Sequence, residues 1–147
     1  MQEHVEGKLY TYGSYRLGVN AKNADIDVLA VGPKCIERDD FFTSFLEVLQ
    51  AQEYITDIVV VESTIVPIIK FVFDSVHIDL IFARINSLAV TESTNLKDNN
   101  ILKNLDPRCV KSLGGCRVTD EILLCVPNIE TFRTSLRSIK LWAQSNF

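Results

Sequence analysis

Two aspartates separated by one isoleucine, Asp25 and Asp27, stand in the apolar run "ADIDVLAVG", after a Gly-Ser pair at Gly13 and Ser14 and a spacer of ten residues. Alternation and β-branched content predict a strand over residues 24–31. Residues i and i+2 of a strand share a face, so the two carboxylates project side by side while Ile26 and Val28 point the other way. Like charges this close repel and raise one another's pKa unless a cation lies between them. A divalent metal is the economical explanation. Hard carboxylate oxygens on a rigid strand suit Mg²⁺, which keeps several waters and completes its shell with substrate phosphates.

"VHIDLIFAR" supplies a third acid, Asp79, flanked by Ile78 and Leu80 in a segment that should not tolerate a free anion. If its strand lies beside the one carrying Asp25 and Asp27, the three carboxylates converge. Such a set binds two metals about 3.5–4 Å apart, one activating an attacking hydroxyl and one holding a leaving pyrophosphate. Taken singly, each acid reads better as a turn residue or a solvated edge-strand acid. Their occurrence together with Gly13 and Ser14 favours chemistry. "GSYRLG" is not a P-loop, because Val19 and Asn20 follow where Lys and Ser or Thr are required. No GxGxxG is present, so a dinucleotide fold is unsupported. What remains is a glycine that lets backbone N–H groups approach a phosphate and a serine hydroxyl that can donate to it.

The rest of the chain supplies a scaffold. Lys8–Tyr12 reads as a short strand, residues 39–50 as a helix with Phe42, Phe45, Leu46 and Leu49 on one side, and residues 55–61, 65–73 and 76–82 as strands. "FDSVHID" joins the last two as an antiparallel hairpin. A polar loop follows from about Asn86, then helices over residues 119–126, with Thr119 as N-cap, and 129–143, with Pro127 between them. The fold class is α+β, a mixed sheet of at least four strands with helices packed on it. At 147 residues and 47% hydrophobic content the chain can bury a real core. No run reaches the roughly 18 apolar residues of a membrane span, and "MQEHVEGKLY" has no apolar leader core. The net charge of -4 excludes a whole-surface grip on nucleic acid, so a polyanionic substrate needs a local site or metals. The four cysteines, Cys35, Cys109, Cys116 and Cys125, match neither a redox pair nor a zinc knuckle and read as reduced thiols, mostly packed as small apolar groups.

The Gly-Ser turn, Asp-x-Asp strand and later Asp resemble the signature of the DNA polymerase β-like nucleotidyltransferases. Five longer stretches resemble the eukaryotic nuclear poly(A) polymerases: "YGSYRLGVNAKNADIDVLAVGP", "RDDFFTSFLEVL", "VPIIKFVFDSVHIDLIFAR", "LKNLDPRCVKSLGGCRVTDEIL" and "VPNIETFRTSLRSIKLWA". They cover nearly the whole chain in order. The resemblance implies template-independent transfer of AMP from ATP to an RNA 3′ hydroxyl, with two Mg²⁺ ions, or Mn²⁺, at the site. It implies that Asp25 and Asp27 bind both metals and that Asp79 completes the catalytic metal site and assists deprotonation of the hydroxyl. Tyr12, Gly13 and Ser14 would contact the triphosphate, and Lys140 would reach the phosphates from the helical region. It also implies a nuclear protein acting with cleavage and polyadenylation factors, with no membrane attachment. Residues 1–105 would form the palm-like catalytic domain and 106–147 the helical start of a central domain, the whole being a fragment of a longer enzyme.

Three positions depart from the family pattern: Tyr12 replaces the common Phe, Ala21 the common Thr, and Gly114 an Asn that helps hold the nucleotide. These bear on nucleotide affinity and leave the metal chemistry intact. Gly114 and Ala21 also keep a second reading open, a catalytically impaired interaction module of an RNA-processing complex. A uridylate- or CCA-adding relative draws no support from "CRVTDEIL" and "VPNIETFR".

Overall fold

A computed structural model of the chain describes residues 6–146. The leader reading of the first five residues and the final Phe147 lie outside the described residues. Five strands form one mixed sheet: β1 (Lys8–Tyr12), β2 (Ile26–Gly32), β3 (Ile55–Val61), β4 (Ile68–Phe73) and β5 (Val76–Arg84), in the order β1-β2-β5-β4-β3. β2 and β5 run parallel at the centre and the other pairs are antiparallel. The expected hairpin joins β4 to β5 through Asp74 and Ser75, both with positive φ (45° and 68°), as a two-residue turn matched to strand twist requires.

Each face of the sheet carries its own core. Val28, Leu80, Phe82, Ile69 and Phe71 pack against Phe41 and Leu49 of the short helices α2 (Arg38–Phe42) and α3 (Ser44–Gln50). Leu29, Val31, Ile81 and Ala83 pack on the other side against Cys109, Leu113 and Cys116 of α4 (Pro107–Cys125). A one-turn helix, α1 (Gly13–Leu17), links β1 to β2, and α5 (Ile129–Asn146) ends the chain. Cys109 and Cys116 are the packed thiols; Cys35 and Cys125 are exposed, so half rather than most of the cysteines serve the core.

Several expected boundaries move. The helix foreseen over residues 39–50 is broken at Thr43 (φ −118°, ψ −90°), whose hydroxyl donates to the Asp39 carbonyl at 2.6 Å. The strand foreseen from residue 65 starts at Ile68, after Pro67, which has no N–H for a ladder. β2 begins at Ile26, leaving Asp25 exposed immediately ahead of it. Thr119 is not an N-cap: it is buried in the middle of α4, whose real cap is Asp106, accepting from the N–H groups of Arg108 and Cys109 with Pro107 following. The paired glycines 114 and 115 concealed this helix, since glycine is costly in a helix interior.

Candidate active site

Four side chains from four strands fall in one transverse row. Tyr12 on β1 is the register partner of Asp27 on β2, Asp27 of Asp79 on β5, and Asp79 of Lys70 on β4. Register partners share a face, here the face that carries α4, as Tyr12 packed on the Leu29–Cys116 core shows. Strand alternation puts Asp27 on that face and Val28 on the other, and the parallel β2–β5 pairing sets Asp79 directly beside it. The sequence expectation is of three converging carboxylates; the register sets Asp27 directly beside Asp79 and leaves Asp25 ahead of the strand. Asp25 adds its charge from just outside β2.

The Gly-Ser turn closes over the row. Gly13 has φ +64°, and a Cβ there would stand 2.5 Å from Asp27 Oδ2, so only glycine fits. The Gly13 N–H donates to Thr119 Oγ1 at 3.0 Å, and the Thr119 hydroxyl donates to the Gly115 carbonyl at 2.8 Å. Gly115 is needed as well: a Cβ would lie 2.8 Å from the Tyr12 ring. Gly114 has open space in that direction. Ser14 is half-buried, and its hydroxyl has no hydrogen-bond partner among the described residues. Lys140, on α5, brings its ammonium to the back of the same turn, donating to the Val19 carbonyl at 3.1 Å.

The electrostatics identify what the row lacks. Burial raises the Asp27 pKa above its ordinary 3.8, the charges of Asp79 and Asp25 raise it further, and Lys70 opposes them. Burial, then Asp27, Cys116 and Asp79, push the Tyr12 phenol upward, so it stays a neutral donor. Lys70 donates to Asp79 Oδ2 as an ion pair in which the carboxylate is only 14% exposed. Lys70 therefore pairs with Asp79 and also acts on Asp27. Among the described residues no three carboxylate side chains close around a common point as they stand. The donor set nevertheless fits a divalent cation, because hard carboxylate oxygens favour it and a half-buried Asp27 beside Asp79 would be stabilised in its charged form by a bound cation. An apolar hollow of about 500 Å³, lined by Leu9, Ala30, Ile36, Phe41, Phe45 and Phe82, lies across the sheet and takes no part.

Sequence reasoning missed Lys70, Thr119 and Gly115. A lysine between Ile69 and Phe71 in "PIIKFVF" was the available signal for the first, being a cation set into a buried strand. Nothing local marked Thr119, whose acceptor role depends on a partner 106 positions away.

Paired carboxylates on adjacent strands under a Gly-Ser turn are the arrangement that the resemblance to nucleotidyltransferases implies. The poly(A) polymerase nucleotidyltransferase domain family matches residues 1–126, and the chain belongs to that family. Poly(A) polymerase pla1 of Schizosaccharomyces pombe is 50% identical over 144 residues, 98% of this chain and 25% of that protein. A poly(A) polymerase of Dictyostelium discoideum is 49% identical over 140 residues, 95% of this chain and 17% of that protein. The chain thus spans a quarter or less of these relatives. Among solved structures, the polymerase core of TRAMP, an RNA surveillance complex, overlaps 54% of this chain and 25% of its own, with 28% identity and a TM-score of 0.46.

Proposed function

We propose that this chain is catalytic sequence of a poly(A) polymerase, transferring AMP from ATP to an RNA 3′ hydroxyl and releasing pyrophosphate. The Tyr12–Asp27–Asp79–Lys70 row is the observation that carries the reading, and family membership supplies the nucleotide and the acceptor. Asp25, Asp27 and Asp79 would hold divalent metal, Mg²⁺ or Mn²⁺, which when bound polarises the α-phosphate and acidifies the attacking hydroxyl. Gly13 lets the backbone approach the triphosphate, Ser14 offers it a hydroxyl without a competing partner, and Tyr12 offers a phenol that stays protonated. Asp79 accepts the proton of the 3′ hydroxyl, with Lys70 holding its carboxylate in place until then. Lys140 exchanges the Val19 carbonyl for phosphate oxygens, an anion being the stronger acceptor.

The impaired-module reading is disfavoured by the cost of the site. Burying Asp27 beside Asp79, with Asp25 near, raises its pKa, which destabilises the fold at neutral pH unless a cation is bound. A nuclear location, a role in mRNA 3′-end formation with cleavage and polyadenylation factors, and a division near residue 105 into palm-like and central-domain sequence belong to the same proposal. Among the described residues no helix is long and apolar enough to cross a membrane.

Calorimetric titration with ATP, with and without Mg²⁺, tests the reading on this chain and on Asp25→Ala. Mg²⁺-dependent binding that disappears in the variant is expected. Unchanged binding in a folded Asp25→Ala chain would sink the proposal.

A further inference from the structure

Three cations of α5, spaced i, i+4 and i+7, donate to three successive carbonyls at the far end of the Gly-Ser turn. Arg133 Nε reaches the Leu17 carbonyl at 2.8 Å, Arg137 reaches the Gly18 carbonyl, and Lys140 Nζ reaches the Val19 carbonyl at 3.1 Å. The spacing sets all three on one side of a helix, and the carbonyls are those of the last residue of α1, its C-cap and the residue after it, the first two being among those a helix end leaves without intrahelical donors. Gly18 fits this contact: its φ is +76°, and a Cβ would lie 2.5 Å from Arg133 Nε. Arg133 is itself steadied by Glu130 at 2.9 Å. None of the described residues of α5 is fully buried, with Phe132, Leu136 and Ala143 only partly covered, and this polar ladder joins the helix to the turn.

The ends of the turn face different tasks. Its front, Gly13, abuts Asp27 and is pinned to α4 through Thr119. Its back is held by α5. We propose that Arg133 and Arg137 are positioning residues, docking α5 on the turn so that Gly13 stays beside Asp27 and Lys140 stays within reach of the substrate phosphates; this rests on the nucleotide-site reading above. The two arginines suit the permanent part of the ladder. Their planar forks keep directed bonds to carbonyls, whereas the lysine ammonium is a compact charge that can change acceptor. Nucleotide binding then moves one contact of the three and leaves the dock intact.

The test compares the wild-type chain with R133Q/R137Q, R133K/R137K and Asp25→Ala, using amide hydrogen exchange and MgATP titration. The glutamine pair should speed exchange in residues 13–19 and weaken MgATP binding, each roughly tenfold or more, on the scale of charged hydrogen bonds lost. The lysine pair, which keeps a cationic donor at each carbonyl, should restore most of both. If the glutamine pair fails to fold, R137Q alone replaces it, since Arg137 is exposed. Exchange in residues 13–19 at the wild-type rate in a folded glutamine variant overturns the proposal. So does Asp25-dependent MgATP binding that the glutamine pair leaves unmoved. Binding that survives Asp25→Ala overturns the nucleotide-site reading, and this proposal falls with it.

Discussion

Asp27 is the residue at which charge, burial and function pull hardest against one another. Its pKa is raised in the fold by burial first and then by Asp79 and Asp25. The native state therefore holds a proton that the unfolded chain has released, over the range from the ordinary value of 3.8 up to the folded value. Stability must fall as pH rises through that range, and the full cost is present above it. Asp27→Asn removes the cost. Without divalent metal, the variant should match the wild type in strong acid and exceed it at neutral pH by up to about 1 kcal/mol, the scale of one like-charge pair across strands. If Asp27 has the proposed metal role, added Mg²⁺ should reverse the order, because the substitution removes one of the three carboxylates proposed to hold the ion. Urea unfolding of both chains at two pH values, with and without Mg²⁺, checks both signs. A variant less stable than wild type in metal-free neutral buffer would show that Asp27 is held by contacts other than those described.

α4 illustrates how a helix can be written in unpromising letters. Gly114 and Gly115 weaken it by propensity, yet the structure treats them differently. Gly115 lies against the Tyr12 ring, while a side chain at Gly114 would meet nothing within 4 Å. Gly115→Ala should therefore cost about 1–3 kcal/mol by overpacking and disturb the row through Tyr12. Gly114→Ala should stabilise by roughly 0.5–1 kcal/mol. Thermal unfolding of the two variants separates these outcomes, and equal effects would mean that the Tyr12 contact does not hold. The same helix marks the limit of what could be read from residues alone. Strand alternation and short apolar runs placed Asp27 and Asp79 correctly, because a period of two determines a face without knowledge of partners. Thr119 was misplaced because "VTDEIL" satisfies the local rule for a cap, while its actual role depends on Gly13, distant in sequence. Lys70 went unnoticed because its meaning comes from the ladder that sets it beside Asp79. The acceptors of Arg133 and Arg137 are backbone carbonyls, which no sequence pattern labels.

Taken whole, the molecule is a sheet with two apolar cores to which α5 is fastened by polar contacts. Its sole tryptophan, Trp142, is 61% exposed, as Ile139 and Leu141 nearly equally are, and none of the described residues of the helix is buried. A segment with so little buried apolar area opens at low free-energy cost, separately from the sheet and α4. Amide exchange should accordingly be faster along α5 than along β2, β5 or α4. Trp142 emission should be that of a solvated indole, readily quenched by iodide, and should change little across the cooperative loss of far-ultraviolet ellipticity. A shift to shorter wavelength with rising protein concentration would show the apolar residues of α5 finding a second copy. A tryptophan transition coincident with loss of the sheet, at a concentration where the chain is monomeric, would refute the picture of α5 as a polar-fastened element. In the proposed site, a dock made of carbonyl contacts lets Lys140 change acceptor without breaking a hydrophobic core, so the contact proposed to engage substrate is separable from the contacts that keep the sheet folded.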